Sequence, residues 1–303
     1  QYAQLQPRVI YEEHIQRDGL DGIKVLVLPH CDVLPRSVVA RITEFQKRGG
    51  IIVGDNSLCP AITPDILLPV YTRTGQADKD KEALQKLAAQ LRSELDAFYA
   101  RHVESSNPDV VTRYRHHGNA DYVFAINDKR AFGTYVGHHR KVMEDGVPSE
   151  ATISIRRPGA TVYDVLAHAA ARTSAAAGAI TWPARLGPGE GRLYLVVDRP
   201  IRSLSIRPPD NARLGRRATL EIAILDDRQS SVAAVLPIHV DIRDPAGRAF
   251  EAGGYYGARD GRLSLPLDIA VNDQPGEWKA QVRELASGLA QDAAFRVTLP
   301  EAD

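Results

Sequence analysis

The chain has 303 residues, long enough for two or three domains with separate cores. Its 38 basic residues balance 38 acidic ones, which argues against a nucleic-acid-binding surface and against an acidic solvating tail. No apolar run approaches the ~20 residues that a membrane-spanning helix needs, so no membrane span is expected, and no basic-then-apolar leader opens the chain. The first residue is Gln and the only methionine is Met143, so the sequence is expected to be a mature form, a processed fragment or a piece of something longer.

Residues 8–10 read as a weak or edge strand. Residues 23–55 carry the strongest pattern: IKVLVLPHCDVLPRSVVARITEFQKRGGIIVGD. Two short, continuous, β-branched runs at 23–28 and 51–53 are the pattern of strands buried on both faces of a parallel sheet. Between them Val38, Val39, Ile42 and Phe45 recur at helical spacing. Pro35 sits where a first helical turn tolerates it, and Gly49-Gly50 supplies a C-terminal stop. This predicts a strand–helix–strand unit of an open α/β sheet, with fewer strands than a complete domain, as if an upstream β-α unit were missing. Cys31 and Cys59 follow the two strands, so their loops are expected at one sheet edge. A disulfide between them is geometrically open and not fixed by sequence.

Residues 78–103 read as one long amphipathic helix, with Leu84, Leu87, Ala88, Leu91, Leu95, Phe98 and Tyr99 on one face. Beyond about residue 108 nearly everything reads as antiparallel β. Residues 110–127 form a predicted hairpin around Gly118-Asn119, with Tyr122, Phe124 and Ile126 sharing a face of the second arm. Further strands are expected at 152–155, 161–163 and 193–197, and the Ala-rich stretch 167–179 reads as an irregular loop. From about residue 201, strands at 218–225, 237–242, 263–269, 278–283 and 294–299 alternate with Gly, Pro and Asp turns. That spacing implies an immunoglobulin-like sandwich with Trp278 as its core anchor.

The segments LDGIKVLVLPHCDVLP (20–35) and VARITEFQKRGGIIVGD (39–55), with the preceding residues 9–15, resemble the trimerisation domain of A4-type β-galactosidases of glycoside hydrolase family 42. That resemblance implies a glutamine-amidotransferase-like, flavodoxin-type α/β fold and covers about the first quarter of the chain. YVFAINDKR (122–130), VYDVLAH (162–168) and LGPGEGRLYLV (186–196) are similar to the β-sandwich domains that close many glycosidases. IHVDIRDPAGR (238–248) and NDQPGEWKAQVRELASG (272–288) resemble bacterial immunoglobulin-like and macroglobulin-type repeats. The expected organisation is therefore a partial amidotransferase-like α/β domain with its long helix (1–107), a β-sandwich (108–200) and an immunoglobulin-like β-sandwich (201–303). The family's catalytic carboxylates belong to a separate barrel. Nothing here reads as eight β-α repeats, so no catalytic residue is carried over.

Several side chains are candidates for chemistry. Cys31 is the candidate nucleophile, because amidotransferase-like folds place a cysteine on a sharp strand-to-helix turn. Against it, His30 points the other way in an extended segment, and PHCDVLP lacks the glycines such an elbow uses. Cys59 has less to support it. His116-His117 and His138-His139 invite a zinc site, with one member of each pair plus Asp121. Adjacent strand residues face opposite sides, and no H-x-x-x-H or C-x-x-C spacing supports it. A glycosidase needs two carboxylates roughly 5 to 10 Å apart. The carboxylates nearest to apolar strands are Asp55, Glu144, Asp145, Asp164 and Glu190, of which Asp164 and Glu190 are expected to order turns or pair with arginines. Asp226, Asp227, Asp244 and Asp273 are candidate calcium ligands spread over separate loops. The GPGEG run (187–191) reads as turn chemistry, not a phosphate loop. Tyr255 and Tyr256, in a glycine-rich stretch, are candidate sugar-stacking residues, with strand-edge packing as the alternative. The basic cluster Arg213 to Arg217 reads as a solvated loop.

The leading expectation is a non-catalytic assembly and spacing region of a multi-domain carbohydrate-active protein. Its partners would be an upstream catalytic domain or further copies of itself, with carbohydrate as a further ligand and no cofactor or nucleic acid. A secreted, periplasmic or cell-surface bacterial setting fits that reading. The alternatives are a stand-alone hydrolase or amidotransferase-like enzyme using Cys31 or a carboxylate pair, and a bacterial surface or adhesion module.

Overall fold

The computed structural model describes residues 1–138 and 140–299. The chain is mostly β, divided among several sheets, and forms two compact units. The first unit combines residues 1–101 with 128–147, and the second combines 102–127 with the chain from Pro148 onward.

In the first unit the order is α1 (Glu12–Asp18), β1 (Val25–Leu28), α2 (Arg36–Lys47), β2 (Ile51–Asp55), β3 (Ile66–Leu68) and α3 (Ala77–Leu95). The three strands lie in the order β1-β2-β3, all parallel, so the α/β sheet is small. Residues 8–10 add no strand to it. Helix α2 turns Val38, Ile42 and Phe45 into a core with Ile15, Leu20, Leu26, Leu28 and Ile52. Gly49 leaves the helix at φ 92°, in the region only glycine enters freely. Gly50 lies under the Phe45 ring, where an added Cβ would come within 2.3 Å of ring carbon.

Helix α3 ends at Leu95, earlier than its apolar spacing predicts. The amides of Phe98 and Tyr99 still bond back to the Leu95 carbonyl, closing a last turn. Arg101 is buried and is drawn instead to the Ala3 carbonyl (3.0 Å) and to Asp96. Tertiary bonding has outweighed helical periodicity there. At the other end Asp80 accepts bonds from Thr74 N (2.8 Å), Thr74 Oγ1 (2.7 Å) and Gly75 N (3.1 Å) and fixes the approach to α3. An antiparallel ribbon, β7 (Arg130–Gly137) with β8 (Arg140–Gly146), also belongs to this unit and was not expected from the sequence. It leaves Phe132, Tyr135 and Val136 exposed.

The second unit starts with β4 (Val103–Ser105), β5 (Val110–His117) and β6 (Ala120–Asn127). It continues with β9 (Ser149–Ile155), β10 (Thr161–Asp164), β11 (Ala169–Ala170), β12 (Ser174–Ala176), β13 (Ala179–Leu186) and β14 (Gly191–Val197). Two sheets, β11-β10-β14-β6-β5 and β12-β13-β9-β4, face each other across a core holding Trp182, Tyr194, Ile153, Ile155 and Val196. The β5–β6 hairpin turns at Gly118-Asn119 as expected. Tyr122, Phe124 and Ile126 do share a face of β6, but Val123 and Ala125 are the residues that enter this core. With Trp182 and Tyr194 stacked edge-on at 5.3 Å in the same core, small side chains fill the strand opposite. The Ala-rich stretch is not an irregular loop throughout. It supplies β11 and β12, the edge strands of the two sheets, so pairing with a neighbour has overridden alanine's local preferences.

The remaining strands are β15 (Ile201–Arg207), β16 (Ala212–Arg213), β17 (Arg217–Asp226), β18 (Leu236–Arg243), β19 (Gly254–Ala258), β20 (Arg262–Asp268), β21 (Gly276–Glu284) and β22 (Ala290–Thr298). They form a second pair of sheets, β15-β17-β20 and β16-β22-β21-β18-β19. Strict alternation along β17, β18 and β21 turns every second residue inward. Trp278 is buried between Phe250 (5.0 Å) and Phe295 (6.0 Å), and its Nε1 donates to the Gln274 carbonyl (2.9 Å).

Candidate functional site

The junction of the two sandwiches inside the second unit is held by apolar packing and by specific hydrogen bonds. One apolar cluster crosses it: Ala120, Tyr163, Leu195 and Val197 of the first sandwich join Leu220, Ile222, Ile238 and Val240 of the second. The tip of the β5–β6 hairpin is pressed onto the segment before β18. Asn119 N donates to the Ala233 carbonyl (2.8 Å), and a Cβ on Gly118 (φ 56°) would lie 2.2 Å from that same oxygen. Only glycine fits there, for conformation and for space.

Two tyrosines complete the seam. Tyr122 Oη donates to the Val235 carbonyl (2.8 Å) and accepts from Val235 N (2.7 Å). Tyr163 Oη accepts from Ile201 N (2.8 Å). Burial raises both phenols above their ordinary pKa, so both stay neutral and keep the proton they donate. On a second contact, His168 Nδ1 meets the Leu285 carbonyl, and a Cβ on Gly288 would come within 2.5 Å of the His168 carbonyl. That loop is shaped by Glu284, fully buried, whose carboxylate accepts from Ala286 N (2.8 Å) and Ser287 N (2.6 Å). Burial raises its pKa despite those bonds.

Behind the hairpin tip lies a buried ionic cluster. Asp121 is 1% exposed and accepts from His102 Nε2 (2.9 Å), His116 Nδ1 (3.0 Å) and Arg157 Nη1 (3.0 Å). Arg157 also donates to the Asn119 carbonyl (2.7 Å) and to the Val196 carbonyl (3.2 Å), and pairs with Asp198. Burial opposes ionisation of Asp121, but the bonds from His102, His116 and Arg157 outweigh it and hold the carboxyl below the usual range. The cluster therefore pins the tip from the rear while Ala233 and Val235 hold it in front.

Sequence reasoning weighed His116 and Asp121 as zinc ligands and disfavoured that site, reading the histidines as surface or hairpin-packing groups. The structure brings these two together with a guanidinium where a cation would need to sit. His117 turns to the other side, 3.4 Å from Asp260. His138 lies at the β7–β8 turn in the other unit, and His139 is outside the described residues. Among the described residues no group of three or more His, Cys, Asp or Glu could hold a metal ion. The calcium candidates each serve their own turn. Asp226 accepts from Arg228 N (2.8 Å) and Ser230 N (3.0 Å), and Asp244 from Ala246 N and Arg248 N (2.9 Å each). Asp273 accepts from Ala270 N (2.7 Å). Asp227 pairs with Arg199 (3.0 Å).

Cys31 is a half-buried free thiol with Sγ 3.5 Å from the Pro29 carbonyl. Burial, then the charges of Asp55, Glu12 and Asp32, push its pKa up, the reverse of what activates a nucleophile. Asp55 is occupied by His30 N (2.7 Å) and Ser57 N (2.9 Å). An open groove of about 520 Å³ in the first unit lies at the opposite, amino edge of the sheet. Its lining includes Asp21, Phe45, Arg48, Phe98 and Tyr99 and neither Cys31 nor a histidine.

Asp164 and Glu190 do come together, on Arg192 at 3.2 and 2.7 Å. Asp164 also orders Leu166 N and Ala167 N, and Glu190 caps Gly187 N (2.6 Å), closing the GPGEG turn. Glu144 accepts from Tyr135 N (2.9 Å) on the ribbon that also carries Asp145. Arg217, from the basic cluster, is paired with Asp268 (2.5 Å).

Tyr255 and Tyr256 lie in edge strand β19 rather than in a loop, and point to opposite sides. Tyr256 is partly buried and donates to the Ala252 carbonyl (2.7 Å). Tyr255 is 78% exposed, with its ring 4.6 Å from His239 on β18. His102 and Arg157 were missed by the sequence reading, since each lies in a short link outside any motif and its partners lie on other strands.

No protein-family model matches the chain, and no curated protein matches it. Solved structures similar to it include glycoside hydrolases and a bacterial adhesin. Alpha-L-fucosidase isoenzyme 2 from Paenibacillus thiaminolyticus is 11% identical at a TM-score of 0.43, over 60% of this chain and 42% of that one. The apo exo-carrageenase GH42 from Bacteroides ovatus is 16% identical at 0.32, over 61% and 23%. The Yersinia pseudotuberculosis adhesin InvE is 14% identical at 0.26, over 50% and 55%. This chain thus spans less than two thirds of each of these proteins. At such scores the likenesses carry no argument about activity. Among the described residues no helix is long and apolar enough to cross a membrane.

Proposed function

We propose that this chain is a non-catalytic assembly and spacing region of a multi-domain carbohydrate-active protein of the β-galactosidase type. The observation that carries the reading is the apolar core that runs uninterrupted from one sandwich into the next, locked by Tyr122 and Tyr163. Two domains joined that way hold a fixed mutual orientation, which is what a spacer must supply and what a flexible linker does not. The polar clusters of the chain are spent on turns and on the seam. In this reading the chain divides at 107/108 and 200/201. The first part is a partial amidotransferase-like domain that mediates contacts with further copies or with an upstream catalytic domain. The setting is secreted, periplasmic or cell-surface.

A second reading, a surface or adhesion module, is favoured by one observation. Tyr255 stands exposed beside His239 on an edge strand, a platform on which a sugar ring stacks. Turnover of aryl glycosides and of glutamine by the purified chain, together with its mass in solution by light scattering, tests the leading proposal. The expected result is no turnover and an oligomer. Turnover lost in Cys31→Ala or in Asp164→Asn/Glu190→Gln would replace it with an enzyme, and glycan binding lost in Tyr255→Ala by a monomer would favour the adhesion module.

A further inference from the structure

We propose that Cys31 and Cys59 form a reversible thiol–disulfide pair, a modification site at the carboxyl edge of the β1-β2-β3 sheet. The two residues sit in loops that leave adjacent parallel strands, and the loops are clipped together. Cys59 N donates to the Cys31 carbonyl (2.8 Å). Asp55, at the end of β2, accepts from His30 N across the gap (2.7 Å) and from Ser57 N within its own loop (2.9 Å), while its carbonyl receives Leu58 N (3.0 Å). Strand residues that exchange two backbone bonds have Cα atoms about 5.5 Å apart, and the single bond between Cys59 and Cys31 brings this pair near the window of about 4.4–6.8 Å that a disulfide spans. Both thiols are free and both residues are partly exposed, so an oxidant can reach them.

Cys31 Sγ now faces the Pro29 carbonyl, so bridging requires rotation about its Cα–Cβ bond. The raised Cys31 thiol makes the pair a slow redox couple at neutral pH rather than a reactive centre. The oxidant is a low-molecular-weight disulfide, RSSR. One cysteine thiolate attacks it and releases RS⁻. The second thiolate then attacks the cysteine sulfur of the mixed disulfide and expels the other RS⁻. The two thiol protons end on the released thiolates, so Cys31 and Cys59 are oxidised to one S–S bond and RSSR is reduced to two RSH. The bridge would close the chain from residue 32 to residue 58 into one covalent loop that contains α2 and β2 and starts just past the end of β1. The inference is independent of the function proposed above.

The test equilibrates the full folded chain with glutathione disulfide, quenches by alkylation and measures intact mass and free thiols. The expected product has lost about 2 Da and both thiols, regains them in dithiothreitol, and gives a peptide joining Cys31 to Cys59. Cys31→Ser and Cys59→Ser should each take up one glutathione instead. Two free thiols, two glutathione adducts, or a bridge formed only in denaturant would overturn the proposal, and those readouts on the natural sequence need no variant to fold.

Discussion

Replacing Tyr122 with Phe removes one oxygen and nothing else. That oxygen is bonded twice, as donor to the Val235 carbonyl and as acceptor from Val235 N. The ring remains in the apolar seam, so little transfer free energy is lost. What changes is that an amide and a carbonyl of Val235, partly screened from water, lose their partner. An unsatisfied buried group costs about 1–3 kcal/mol, and Val235 is only half-buried, so water recovers part of it. We expect Tyr122→Phe to lower the unfolding free energy of the second unit by about 2 kcal/mol. Urea denaturation followed by far-ultraviolet circular dichroism measures it. The slope with denaturant should stay unchanged, because the surface exposed on unfolding is the same. A loss below about 0.5 kcal/mol, the scatter expected of an ordinary surface substitution, would refute the assignment of Tyr122 as a structural lock.

Asp121→Asn should destabilise the second unit at neutral pH by about 3 kcal/mol, since Arg157 and two histidines lose a buried carboxylate partner. Because the folded carboxyl titrates below its unfolded value, its contribution is complete above about pH 4 and disappears as the pH falls through the folded pKa. The gap between natural protein and variant in acid titrations of stability should therefore close below that pH, and a gap independent of pH would contradict the assignment. Gly50→Ala puts a methyl carbon 2.3 Å from the Phe45 ring and should cost about 1–3 kcal/mol in the first unit. Amide exchange should localise that loss to residues near α2 and β2, and unchanged protection there would count against the packing described.

The β1–α2–β2 unit and the β5–β6 hairpin were legible in the sequence because their signals are local: Pro35, Gly49-Gly50, and Gly118-Asn119 lie inside or beside the elements they shape. The alternation of β17, β18 and β21 was legible for the same reason. The seam was not. Tyr122 and Val235 are 113 residues apart, and nothing near Tyr122 marks its hydroxyl as a junction bond rather than a surface group. Gly118 reads as an ordinary turn glycine, and only the Ala233 carbonyl pressed against it gives it a second reason to be glycine. Asp121 was weighed only as a disfavoured zinc ligand and its ionic role was not seen, because two of its three partners, His102 and Arg157, reach it from other parts of the chain. The β7–β8 ribbon escaped because FGTYVG and RKVMEDG lack both a clean alternation and a glycine–asparagine turn.

The chain contains two tryptophans, and they divide the question cleanly: Trp182 sits in the core of the first sandwich and Trp278 in the core of the second. Urea unfolding of the full chain, followed by fluorescence in Trp182→Phe and in Trp278→Phe, reports each sandwich separately. If the shared core makes them one cooperative body, the Tyr122→Phe substitution will shift both transitions by the same free energy. A shift confined to one tryptophan would show two independent sandwiches, and the spacer would lose its physical basis.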